Sequence, residues 1–158
     1  MNEITIRPAR AADAAPIIDI HRRSIQVLCR AEYSEKQLLA WIGKRTPEQL
    51  AQRIAWRTFL IAEMAGRPVG YAAYHTGSGE LLSVFVDPDY ARQGIATALV
   101  QEIFADASRQ GLRHMWLDSS LTAIPFYEKM GFKGVLETSH AFGDVPLECL
   151  RMEITLTD

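Results

Sequence analysis

Over residues 3–7 apolar Ile4 and Ile6 alternate with Glu3, Thr5 and Arg7, the two-residue period of a strand. The period then lengthens. Ile17, Ile20, Ile25 and Leu28 recur at helical spacing behind Asp13, which predicts a helix capped by Asp13 with Pro16 tolerated in its first turn. Ser34 with Gln37, and Thr46 with Gln49, each have the spacing of a capping box, and Pro47 occupies the favoured first helical position. These two helices are expected to bury Leu38, Trp41 and Ile42, then Leu50 and Ile54.

Strand patterning returns at residues 58–62 and 69–74, on either side of the turn Ala65-Gly66-Arg67-Pro68. Gly77-Ser78-Gly79 leads into Leu81–Val86, an almost continuously apolar run suited to a central strand covered on both faces. Connections this short imply antiparallel neighbours. From Gly94 the period is helical again, with Ile95, Ala98, Leu99, Ile103 and Ala107 on one face until Gly111 ends the run. A strand over 113–118, a short helix ending at Gly131, and strands near 132–136 and 146–155 complete the chain. The central strand, its long helix and the next strand form a βαβ crossover, so those two strands should run parallel. The expectation is one α/β (α+β) domain over residues 1–158: a mixed, mostly antiparallel sheet with a central crossover and helices on both faces.

Composition narrows the classes. A chain of 158 residues that is 48% hydrophobic and 23% charged is an ordinary globular domain. Its net charge of −2 and scattered basic residues argue against a nucleic-acid partner. No apolar run reaches membrane-spanning length and the N-terminal residues hold no apolar signal core, so a cytoplasmic protein is expected. Cys29 and Cys149 are too few for a disulfide framework and lack zinc-ligand spacing, so no metal is expected; both read as reduced thiols, and Cys149 as simple packing.

Candidate chemistry concentrates between Val86 and Thr97, where a buried strand ends at a proline and a helix opens around Gly94. Helix N-termini present unpaired N–H groups and partial positive charge, which suits a diphosphate. Gly94 would let the backbone approach the anion, Ala96 keeps the next turn small, and Thr97 adds a hydroxyl. A plain strand-to-helix turn with a permissive glycine is the other reading of the same residues. Neither a P-loop nor a dinucleotide fingerprint is present.

The run Val-Asp-Pro-Asp-Tyr-Ala-Arg-Gln-Gly-Ile-Ala-Thr-Ala-Leu resembles motif A of the GNAT superfamily, the Gcn5-related N-acetyltransferases. Pro125-Phe126-Tyr127-Glu128-Lys129-Met130-Gly131-Phe132 resembles its motif B, and the order of elements is similar throughout. The resemblance implies an acetyl-CoA co-substrate: pantetheine amides against the backbone of Val84, Phe85 and Val86, and the diphosphate on the amides of Ala91, Arg92, Gln93, Gly94, Ile95 and Ala96, with Thr97 beside them. It implies direct acetyl transfer to an amine of a small molecule or peptide, with Tyr127 as the acid for the departing thiolate. Two positions depart from the pattern. Ala91 stands where Gln or Arg is usual, and Ser120 stands where asparagine is common, with Thr122 nearby as another hydroxyl. A non-catalytic acyl-CoA sensor or scaffold of the same fold is the alternative, and a longer acyl group a third reading.

Acetyl transfer to an amine also needs a base. Glu80 at the start of the central strand is the first candidate. Asp118 at the end of its parallel neighbour, His140 in the loop before the last strand, or a water chain could serve instead. His21, His75 and His114 read as structural. Trp41 and Trp56 read as core, although the helix pair 34–55 should wall the acceptor pocket. A homodimer is expected, because the terminal strand carrying Cys149, Leu150, Met152 and Ile154 would need cover as a sheet edge.

Overall fold

A computed structural model describes residues 3–157. Three helices follow β1 (Ile4–Pro8): α1 (Ala14–Leu28), α2 (Glu35–Ile42) and α3 (Pro47–Trp56). Next come β2 (Thr58–Met64), β3 (Arg67–Tyr74), β4 (Leu81–Val86), α4 (Ile95–Arg109), β5 (His114–Ser120), α5 (Ile124–Lys129), β6 (Lys133–Phe142) and β7 (Val145–Thr155). Both capping boxes form: the Ser34 and Thr46 hydroxyls each accept the N–H three residues on, at 3.2 Å. Asp13 does not cap α1. Its carboxylate takes two bonds of 2.8 Å from the Arg7 guanidinium and one of 2.7 Å from the Arg10 N–H, because a paired cation outcompetes a neutral helix terminus.

The strands form two antiparallel sheets rather than one, ordered β1-β2-β3-β4 and β5-β7-β6. β4 and β5 run parallel as the crossover requires, but they meet only at one bridge, between Glu80 and Trp116. Gly79 permits that contact. Its φ is +73°, and a Cβ there would lie 2.6 Å from the His114 carbonyl oxygen. Just beyond, the β3–β4 register passes over Leu82, pairing Tyr74 with Leu81 and Ala73 with Ser83. Such a bulge adds bend and twist, and from here β4 and β5 diverge.

One core joins both sheets: Ile95, Leu99, Ile103 and Ala107 of α4 pack with Ala72 and Tyr74 of β3, Met115 and Leu117 of β5, and Met152 of β7. Each large apolar side chain buried on α4 contributes roughly 1.5–3 kcal/mol. On the opposite face of the first sheet, Ile17, Ile20 and Leu50 cover Phe59, Ile61 and Tyr71.

Several expected positions change. Leu28 is exposed and Cys29 takes the buried place, because α1 ends there and the chain turns. Trp56 is 86% exposed; it lies about 240° round α3 from buried Leu50, away from the sheet. β6 extends to Phe142, so His140 belongs to a strand rather than a loop. The terminal strand is not an edge: β7 lies between β5 and β6, and its neighbours provide the cover anticipated from another copy.

Candidate active site

Where β4 and β5 diverge, a cleft of about 950 Å³ opens. Val84, Phe85 and Val86 line it from β4. β4 pairs with β3 on one side only, so beyond Glu80 its backbone groups facing β5 are not used by a sheet.

At one mouth lies the turn into α4. Asp87, 3% exposed, accepts the Asp89 N–H at 2.9 Å and pairs with Arg23 of α1 at 2.7 Å; Arg23 also holds Asp89. Arg92 and Gly94 both have left-handed backbone, with φ +62° and +83°. The first backbone bond of α4 runs from the Ala98 N–H to the Gly94 carbonyl at 3.0 Å, so the helix leaves the N–H groups of Ile95, Ala96 and Thr97 unused. A Cβ on Gly94 would meet nothing within 4 Å, so the space before this helix end is open. Ala91, Arg92, Ile95, Ala96 and Thr97 line the cleft with Gly94; the Gln93 side chain turns to solvent and is not among the lining residues. Ile95 is buried in the core and can offer only its N–H.

Tyr127 lines the cleft from α5 with its ring buried against Phe126 and Phe132. Its hydroxyl makes no hydrogen bond among the described residues, and burial pushes the phenol well above its ordinary pKa. Glu80 lines the cleft half-buried at the bridge. The Ser120 hydroxyl is committed to the Ala123 N–H at 3.3 Å, and Thr122 donates to Glu32. Asp118 and His140, read as separate candidates, are in contact at 2.6 Å. Asp118 also receives Arg151 through two bonds of 2.9 and 3.0 Å, and these hold its pKa below the ordinary carboxylate value against the effect of burial. Cys149 is half-buried and burial raises its thiol to about 11, in keeping with a packing role.

The far wall comes from α1 and α2. The Tyr33 hydroxyl donates to the Glu148 carbonyl at 2.6 Å and accepts the Leu121 N–H at 2.9 Å, while Gln37 donates to the Pro146 carbonyl. Trp41 lines the cleft, edge-on to Tyr33 and Phe85. His21, which reads as structural in the sequence, also lines the cleft. It is 3% exposed, and Nε2 has no hydrogen-bond partner. Its place on the apolar face of α1, four residues after Ile17, was the available signal. The Arg23–Asp87 clasp spans 64 residues and has no local signal. His75 accepts the Ser78 N–H within a turn, and exposed His114 lies 3.9 Å from Glu153. Among the described residues no group of three or more His, Cys, Asp or Glu could hold a metal ion, and no helix is long and apolar enough to cross a membrane.

Residues 29–156 match the family model described as an acetyltransferase (GNAT) domain. The uncharacterized N-acetyltransferase YafP of Escherichia coli (strain K12) is 32% identical over 138 residues, covering 85% of each chain. A GCN5-related N-acetyltransferase from Rhodopseudomonas palustris superposes with a TM-score of 0.93 at 28% identity, over 99% of this chain and 98% of that one. The PaiA N-acetyltransferase of Thermoplasma acidophilum, solved in complex with coenzyme A, superposes at 0.79 with 23% identity, over 97% and 99% of the two chains.

Proposed function

The chain belongs to the GNAT acetyltransferase family, and on that premise we propose that it moves an acetyl group from acetyl-CoA to the amine of a small molecule or peptide. The observation that carries this reading is the left-handed turn at Arg92 and Gly94, which brings open N–H groups of α4 to the mouth of the cleft. These residues fit the diphosphate of acetyl-CoA: N–H donors from residues 92–97, the Thr97 hydroxyl, and no side chain at Gly94 to fill the space; the Ala91 N–H, expected among the donors, is instead given to the Pro88 carbonyl at 3.3 Å, closing the turn before it. The unused backbone edge of Val84, Phe85 and Val86 suits the pantetheine amides. Ser120 adds a polar group beside them, although its hydroxyl is already bonded within its own turn.

In the reaction the amine nitrogen bonds to the thioester carbon and the carbon–sulfur bond breaks. A β4 N–H facing the gap stabilises the oxyanion. The amine must first lose a proton. Glu80 is assigned that role because it stands at the apex of the cleft. The contact between His140 and Asp118 favours a second route, in which Asp118 orients the imidazole that takes the proton. Tyr127 gives a proton or hydrogen bond to the departing thiolate. Its raised pKa keeps it protonated until then.

Tyr127→Phe should leave CoA affinity unchanged and lower turnover by about 10²-fold. Free-thiol release with a panel of amines, alongside calorimetry with CoA, measures both. Equal rates in the two proteins would make Tyr127 structural. Tight CoA binding with no thiol released on any amine would favour a non-catalytic module instead. Two free cysteines fit a reducing compartment, so we place the protein in the cytoplasm.

A further inference from the structure

We propose that Arg23, on α1, is a positioning residue for the diphosphate of the co-substrate: it cancels the two carboxylates of the phosphate turn and holds that turn in shape. This rests on the acetyl-CoA reading of the cleft. By its own residues the turn is a poor host for a dianion. Between Val86 and Thr97 it carries Asp87 and Asp89 against a single cation, Arg92. Among the described residues Arg92 pairs with neither carboxylate. Arg23 pairs with both, from 64 and 66 residues away in the chain. Without it the turn would be net negative and would repel an anion at close range. With it the acids are matched, and the positive end of α4 is the field that an arriving diphosphate meets.

The same guanidinium fixes geometry. The Asp87 N–H goes to the Val69 carbonyl at 2.8 Å, which anchors the turn to β3. Its Oδ1 accepts the Asp89 N–H, which folds the chain back. Oδ2 remains, and Nη1 of Arg23 meets it at 2.7 Å while Nη2 reaches Asp89 at 2.9 Å. A buried carboxylate that loses its cation must take in water or swing out, and the loop would follow. The Tyr90 and Ala91 N–H groups close on the carbonyls of Asp87 and Pro88, so such a movement carries into Arg92 and Gly94. Their left-handed backbone sets where the free N–H groups point. A lysine is a single point charge and cannot fork between the two acids as Arg23 does.

The loss on removing Arg23 should be confined to ligands that carry the diphosphate. The test titrates CoA and pantetheine, the same arm without the diphosphate, at low ionic strength, where charge is least screened. Arg23→Gln should raise the Kd of CoA roughly 10-fold and leave that of pantetheine within about 2-fold, with partial recovery in Arg23→Lys. Asp89→Asn tests the charge without disturbing the fold, because Asp89 is exposed and the buried Arg23–Asp87 pair remains. It removes one acid from the turn, so CoA should bind about 2- to 3-fold more tightly. Equal losses for CoA and pantetheine in Arg23→Gln, or CoA binding in Asp89→Asn that is unchanged or weaker, would overturn the proposal and leave the acetyl-CoA reading standing. Wild-type protein that holds CoA no better than pantetheine would overturn both.

Discussion

The His21 imidazole is kept neutral by burial, reinforced by the charge of Arg45, and its pKa falls from 6.5 to about 4. Across that interval the unfolded chain binds a proton that the folded chain refuses. Stability is therefore complete above about pH 6.5 and declines as pH drops towards 4, by about 3 kcal/mol over the full span. Urea unfolding at pH 7 and pH 4.5 should reveal the decline, and His21→Phe should remove most of it. Gly94 gives a contrasting case. Any L side chain at φ +83° is strained by roughly 1–2 kcal/mol, so Gly94→Glu should lower Tm by a few degrees. It should also abolish CoA binding in calorimetry, because its carboxylate would stand before the helix end. Unchanged affinity in the folded variant would refute the phosphate turn. The places of Gly94 and Tyr127 on the cleft were legible in the sequence because each sits in a short local pattern. The Arg23–Asp87 clasp was not, since its partners are fixed by packing between elements distant in the chain, and for His21 the only hint was its place on the apolar face of α1.

Local signals also served the elements well wherever the stabilising groups lie within one turn. The Ser34 and Thr46 caps stand where their spacing placed them, and α4 buries Ile95, Leu99 and Ile103 as its period required. Strand order was less legible. The apolar alternation of β7 gave its inward face but not its neighbours, which depend on a β6 hairpin that proved twice as long as its patterning suggested. The exposed edge is consequently β6, ten residues long, with Val135 and Leu136 more than half exposed beside a register shift. Long apolar edges invite pairing. We therefore propose β6, rather than the terminal strand, as the edge through which the expected homodimer forms. Light scattering should give twice 17.7 kDa at micromolar concentration, and Leu136→Lys should restore the monomer.

At the scale of the molecule, the cleft exists because two sheets share a core but only one backbone bridge. A ligand lying between them touches both halves, so binding should stabilise the whole domain. At CoA concentrations a hundred times Kd the gain is about 2.7 kcal/mol, and differential scanning calorimetry should place Tm roughly 5–10 °C higher. A flat Tm would separate CoA from the native fold. The same bridge has a mechanical consequence. Along each sheet, force is shared by ladders of backbone bonds that must break together. Across the seam it falls on the Glu80–Trp116 contact and on side chains that can slide. A tether anchored on β2 and β6 would load that seam first, parting the protein into two plates before either plate unravelled, with the α4 core as the last thing holding them.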